Sequence, residues 1–74
     1  MTLNLLGVNE TGIITGYTKD TRVRKRLLAM GLTRNTQVTI TRVAPLGDPI
    51  ELKVRDFALT IRKDDAAQIL ITKV

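Results

Sequence analysis

The spacing of apolar residues changes several times along the chain, and each change predicts an element. TGIITGY, Thr11 to Tyr17, is rich in β-branched residues between turn formers and predicts a strand, with Asn9 to Gly12 as the turn before it. In TKDTRVRKRLLAMGL the period becomes helical. Val23, Leu27 and Met30 fall at i, i+4 and i+7, and Leu28 widens the stripe. Asp20 or Thr21 can cap the start of that helix, and Gly31 can close its end in the left-handed conformation.

Period two then returns. Gln37 to Ala44 sets Val38, Ile40 and Arg42 against Thr39, Thr41 and Val43. Ile50, Leu52 and Val54 share one face and Glu51, Lys53 and Arg55 the other, the cleanest alternation in the chain. A tight turn at Arg55 and Asp56 leads to FALTI, Phe57 to Ile61. Lys63 to Gln68 predicts one helical turn, and ILITKV a last strand.

About five short strands with one short amphipathic helix inserted between the first of them predict a mainly β domain, a small bent barrel whose closure would remove exposed edges. SH3-like and OB-like barrels both satisfy the pattern. The shortness of the strands and of the chain favours the SH3-like form. One domain over residues 1–74 is expected, since a core needs about 50 residues or more.

The turn between the second and third strands is built from Pro45, Gly47, Asp48 and Pro49, each a turn former for a physical reason of its own. Leu46 at its tip is not required by the turn. Two readings follow: a plug for one end of the barrel, or an apolar side chain presented to a partner.

Composition narrows the chemistry. The 74 residues contain no His, no Cys and no Ser, so the usual general bases and nucleophiles are missing, as are disulfides and soft metal ligands. No enzyme is expected and no catalytic residue is assigned. The glycines match neither phosphate-loop spacing. Asp48 with Glu51 offers too few oxygens for a hard cation, and Asp64 with Asp65 reads as the acidic first turn of a short helix. No metal site or cofactor is assigned.

Mean hydropathy is +0.04 and no stretch approaches the roughly 18 apolar residues of a membrane span, so direct membrane insertion is not expected. The N-terminus has no basic flank followed by an apolar run, which predicts a cytoplasmic protein. Twelve Lys and Arg against seven Asp and Glu give a net charge of +5. The densest cluster is Arg22, Arg24, Lys25 and Arg26, with Lys19 and Arg34 nearby, a docking surface for acidic side chains or phosphates. Single-stranded nucleic acid also wants aromatic platforms, and Tyr17 and Phe57 are the only aromatics.

RKRLLAMGLTRNTQVTITRVAPLGDPIELKV followed by FALTIRKDDAAQI resembles the ferrous iron transport protein A (FeoA) family over nearly the whole chain. The resemblance rests on the basic RLL-x-MGL segment, the APLGDP turn and the LxIRK-xx-A close, in that order. Where the family pattern has Pro-Gly after MGL, this chain has Arg34 and Asn35; Asn tolerates positive φ, so the turn survives with an added charge.

The resemblance implies a cytoplasmic SH3-like barrel of a bacterial ferrous iron uptake system, peripheral at the inner membrane through the GTPase-bearing ferrous iron transport protein B (FeoB). Family descriptions include transition-metal binding, for which this chain carries no imidazole or thiolate. The expected contact set for the cytoplasmic portion of FeoB is Leu28, Met30, Leu32 and Leu46, with Arg22, Arg24, Lys25 and Arg26 as steering charges. The alternative is a nucleic-acid-binding or regulatory barrel related to the C-terminal domain of iron-dependent repressors. A weak homo-oligomer is compatible with either.

Overall fold

The order of elements follows the alternation of periods. A computed structural model describes residues 1–74. It contains a 3-10 turn at Leu3–Leu5, strand β1 at Thr11–Tyr17, helix α1 at Thr21–Ala29, β2 at Gln37–Val43, β3 at Ile50–Val54, β4 at Phe57–Ile61, helix α2 at Lys63–Ala66 and β5 at Ile69–Lys73. All strand pairs are antiparallel, in the order β4-β3-β2-β1-β5. This is the mainly β, SH3-like architecture with its helix between the first two strands.

Fourteen buried apolar residues form one core, and α1 contributes Leu27 to it. Val23 and Met30 pack against that core only partly buried, and Leu28 faces outward. The side chain of Asp20 accepts from the N–H groups of Arg22 and Val23 at 3.1 and 3.2 Å, satisfying two orphan donors of the first turn.

The end of α1 corrects one expectation. Gly31 takes φ +91°, its N–H bonds the Leu28 carbonyl, and the N–H of Leu32 reaches back to the Leu27 carbonyl, both at 3.0 Å. That pair of bonds is a Schellman closure, which folds the residue after the glycine onto the last turn of the helix. Leu32 is therefore fully buried beside Leu27, in the core and not on a contact surface.

Three further features depart from the simple pattern. The turn before β1 centres on Val8 and Asn9, where Asn9 has φ 69°, so Thr11 and Gly12 already belong to the strand. Gly12 is buried there, and a Cβ would lie 2.7 Å from Ile71 Cδ1, so a side chain at this position would displace that methyl group. In β2 the register shifts between Ile40 and Arg42, so Arg42 is exposed and Val43 turns toward the core, reversing the simple alternation. Leu3 and Leu6, in a segment without periodicity, are both buried.

The sheet does not close by hydrogen bonding. Its β5 edge is covered by the N-terminus: Ile71 N–H donates to the Met1 carbonyl at 2.8 Å, and Thr2 bridges Leu70. The β4 edge has no such cover. Outside the ladders, no hydrogen bond reaches Phe57 to Ile61.

Candidate docking surface

The capped α1 holds a row of cations over the core. With Leu27 turned inward, Arg22, Arg24, Lys25 and Arg26 are exposed. The chain has only two ion pairs, Arg26 with Asp65 and Lys73 with Glu10. Arg22, Arg24 and Lys25 are therefore free of carboxylate partners, whereas Arg26 is committed to α2.

Tyr17 organises the other side of the patch. Its phenol donates to the Leu32 carbonyl, tying the segment that carries Arg34 to β1. Partial burial raises its pKa above the usual phenol value, while the nearby charges of Arg34 and Arg24 act in the opposite direction.

Of the expected apolar contacts, Leu28 is 40% exposed and Met30 half-buried. Phe57 was missing from that set, yet it is 43% exposed with its ring against Gly31, where a Cβ would lie 3.3 Å from Cζ. A lone aromatic at the start of a strand gives no sequence signal of this.

Leu46 is 96% exposed. It touches almost nothing in its own chain, which excludes the plug and also any packed patch with Leu28 and Met30. Its turn is well fixed: Gly47 takes φ +87° and donates to the Ala44 carbonyl at 2.7 Å, Ala44 N–H donates to the Pro49 carbonyl at 3.1 Å, and Asp48 Oδ1 accepts from Lys63 N–H at 2.9 Å. Through α2, whose Asp65 pairs with Arg26, the turn and α1 are joined indirectly.

The carboxylates do not form a metal centre. Asp48 is engaged by Lys63, Asp65 by Arg26, and Glu51 accepts from the Thr41 hydroxyl at 3.2 Å. No three acidic residues come together, so the donor set does not fit a resident transition metal. No helix is long and apolar enough to cross a membrane.

A model of the FeoA domain family matches residues 1–73. An Fe(2+) transport protein A/Fe(2+) transporter FeoB fusion protein of Porphyromonas gingivalis is 32% identical over 69 residues, which is 93% of this chain and 8% of that one. This chain thus spans only a small part of that relative. The solved structure of a FeoA-like protein from Clostridium acetobutylicum superposes with a TM-score of 0.94 at 32% identity, covering 100% of this chain and 86% of the other. The FeoA protein of Stenotrophomonas maltophilia, solved with zinc and described as a prokaryotic SH3 domain protein, superposes at 0.82 with 18% identity, covering 97% and 89%, a likeness of fold.

Proposed function

The chain belongs to the FeoA family, and from that premise we propose that it is a non-enzymatic accessory protein of bacterial ferrous iron uptake, docking on the cytoplasmic portion of FeoB and modulating its transport or GTPase turnover. The observation that carries this reading is the fusion relative: a segment 32% identical to this chain shares one polypeptide with FeoB in P. gingivalis. Two modules joined in one chain meet at a high effective concentration, which a cell with separate chains must replace by affinity.

The unpaired cations of α1 supply long-range attraction for an acidic face, with Leu28 and Leu46 as apolar contacts. Steering of this kind acts on the association rate and weakens with salt.

The test is binding to the purified cytoplasmic domain of FeoB by interferometry, with and without guanine nucleotide. Saturable one-to-one binding that weakens when Arg22, Arg24 and Lys25 are changed to Gln is expected. Absence of binding in every nucleotide state refutes the proposal. Tight association with duplex DNA, falling with log salt at about −0.9 per phosphate contacted, would favour the regulatory alternative.

A further inference from the structure

The two sheet edges are treated differently, and the difference points to a partner. An exposed strand edge is a template for pairing, which proteins usually blunt with charge, proline or a covering segment. β5 is covered by Met1 and Thr2. β4, FALTI, carries no charge and no proline, and no main-chain hydrogen bond from outside the ladders reaches it.

The register of β4 on β3 fixes which groups are free. Val54 and Phe57 flank a two-residue turn at Arg55 and Asp56, so they form a hydrogen-bonded pair, as by alternation do Leu52 with Leu59 and Ile50 with Ile61. The N–H and C=O groups of Ala58 and Thr60 therefore point away from β3.

We propose that this edge pairs with the same edge of a second copy, antiparallel and two-fold symmetric about Leu59, to form a weak homodimer. In that register Ala58 and Thr60 exchange main-chain bonds with Thr60 and Ala58 of the second copy, and their small side chains meet without a clash. On the other face half-buried Leu59 lies beside its symmetry mate, and Phe57, 43% exposed, extends over the end of the second copy's strand, where Ile61 itself is buried in the core.

One position further out, Asp56 stands opposite Arg62 of the second copy at both ends. Neither residue has an ion-pair or side-chain hydrogen-bond partner within its own chain, and both are exposed. A heterologous strand would need to reproduce this apolar row and two matched charges, whereas a second copy supplies them by symmetry. The interface is smaller than the standard 1,200 to 2,000 Å², so dissociation between about 10 µM and 1 mM is expected.

Sedimentation equilibrium of the full chain across that range tests the proposal. The mass is expected to rise from 8.2 kDa toward twice that value. Asp56→Arg and Arg62→Asp should each weaken dimerisation about tenfold by placing like charges opposite one another, and the double variant should restore it.

Register is read separately by cross-linking, since the chain has no cysteine of its own. Leu59→Cys on the axis brings Cα atoms to about 4.5 Å and should form a disulfide dimer on oxidation, whereas Ala58→Cys, about 8 Å from its mate, should not. A mass of 8.2 kDa up to about 1 mM overturns the proposal. So does a dimer indifferent to both charge reversals, or one that the double variant fails to restore. Edge variants that affect FeoB binding in a strictly monomeric protein would assign the edge to a foreign strand and likewise overturn it.

Discussion

Replacing Leu46 with Ser separates a contact role from a folding role more sharply than any other single change. Burying a whole leucine side chain contributes about 1.5 to 3 kcal/mol, and at 96% exposure this one buries only a few hundredths of its surface. The expected loss of stability is about 0.1 kcal/mol. For a domain of this size 1 kcal/mol moves the melting temperature by roughly 4 to 8 °C, so Leu46→Ser should melt within about 1 °C of wild type.

Gly47→Val, one residue away, is the control. At φ +87° a β-branched residue is strained, yet a Cβ there would meet nothing within 4 Å, so the cost is backbone conformation alone, about 1 to 3 kcal/mol. Its melting temperature should fall by several degrees at least. Both proteins are then titrated against the FeoB cytoplasmic domain. Leu46→Ser should bind about tenfold or more weakly at unchanged stability, as when an apolar anchor is lost from an interface. A loss of 2 kcal/mol or more in Leu46→Ser would refute the exposure argument, and unchanged binding would refute the contact role.

Changing Arg22, Arg24 and Lys25 together to Gln should alter stability by less than about 0.5 kcal/mol, because all three are exposed and unpaired, while slowing association with FeoB at low salt; stopped-flow mixing reads the rate. Leu32→Ala should cost about 2 to 5 kcal/mol in chemical denaturation, since the Schellman closure holds this side chain in the core; a loss below 1 kcal/mol would return Leu32 to the surface. The Glu10 carboxylate is held below its ordinary value of 4.5 by its hydrogen bond to Lys73 and by the Gly7 N–H. A lowered folded value means that the unfolded chain binds the proton more readily, so stability is lost as the pH falls. The stability gap between wild type and Glu10→Gln should be complete at neutral pH and close as the pH drops below 4.5 through the lower folded value, as read by urea titrations at a series of pH values.

What the sequence made legible was short-range. β1 follows from β-branched residues between turn formers, β3 from its period-two alternation and β4 from a short apolar stretch after a turn, while the cap at Asp20, one of two candidates with Thr21, and the positive φ of Gly31 and Asn35 follow from residue type. What it hid was set by single insertions or by distant contacts. The bulge after Ile40 adds one residue to β2 and inverts the faces of Arg42 and Val43, which counting alternate residues cannot detect. Leu3 and Leu6 are buried from an aperiodic segment held by β5. Leu32 was readable in principle: an apolar residue after a helix-closing glycine is the side chain that a Schellman motif folds inward.

A fold with no disulfide and a single small core must place nearly every large apolar side chain inside it, so the exceptions carry information. Eight large apolar residues are exposed, five of them in the N-terminal segment, in β5 or at the C-terminus, and the other three, Leu28, Leu46 and Phe57, lie on a helix face, at a turn tip and at the start of an edge strand. None of these three is required by its local structure. A helix face accepts any good helix former, the turn is complete without a leucine, and a strand beginning beside a glycine does not need an aromatic. The unpaired cations of α1 lie beside Leu28, which suits an acidic partner, whereas Phe57 continues an uncharged strand edge, which suits a copy of itself. Two surfaces of opposite character on one 74-residue chain allow partner docking and self-association to be disabled by different substitutions. Charge reversal at Asp56 or Arg62 should leave the helix patch intact, and neutralising Arg22, Arg24 and Lys25 should leave the β4 edge intact.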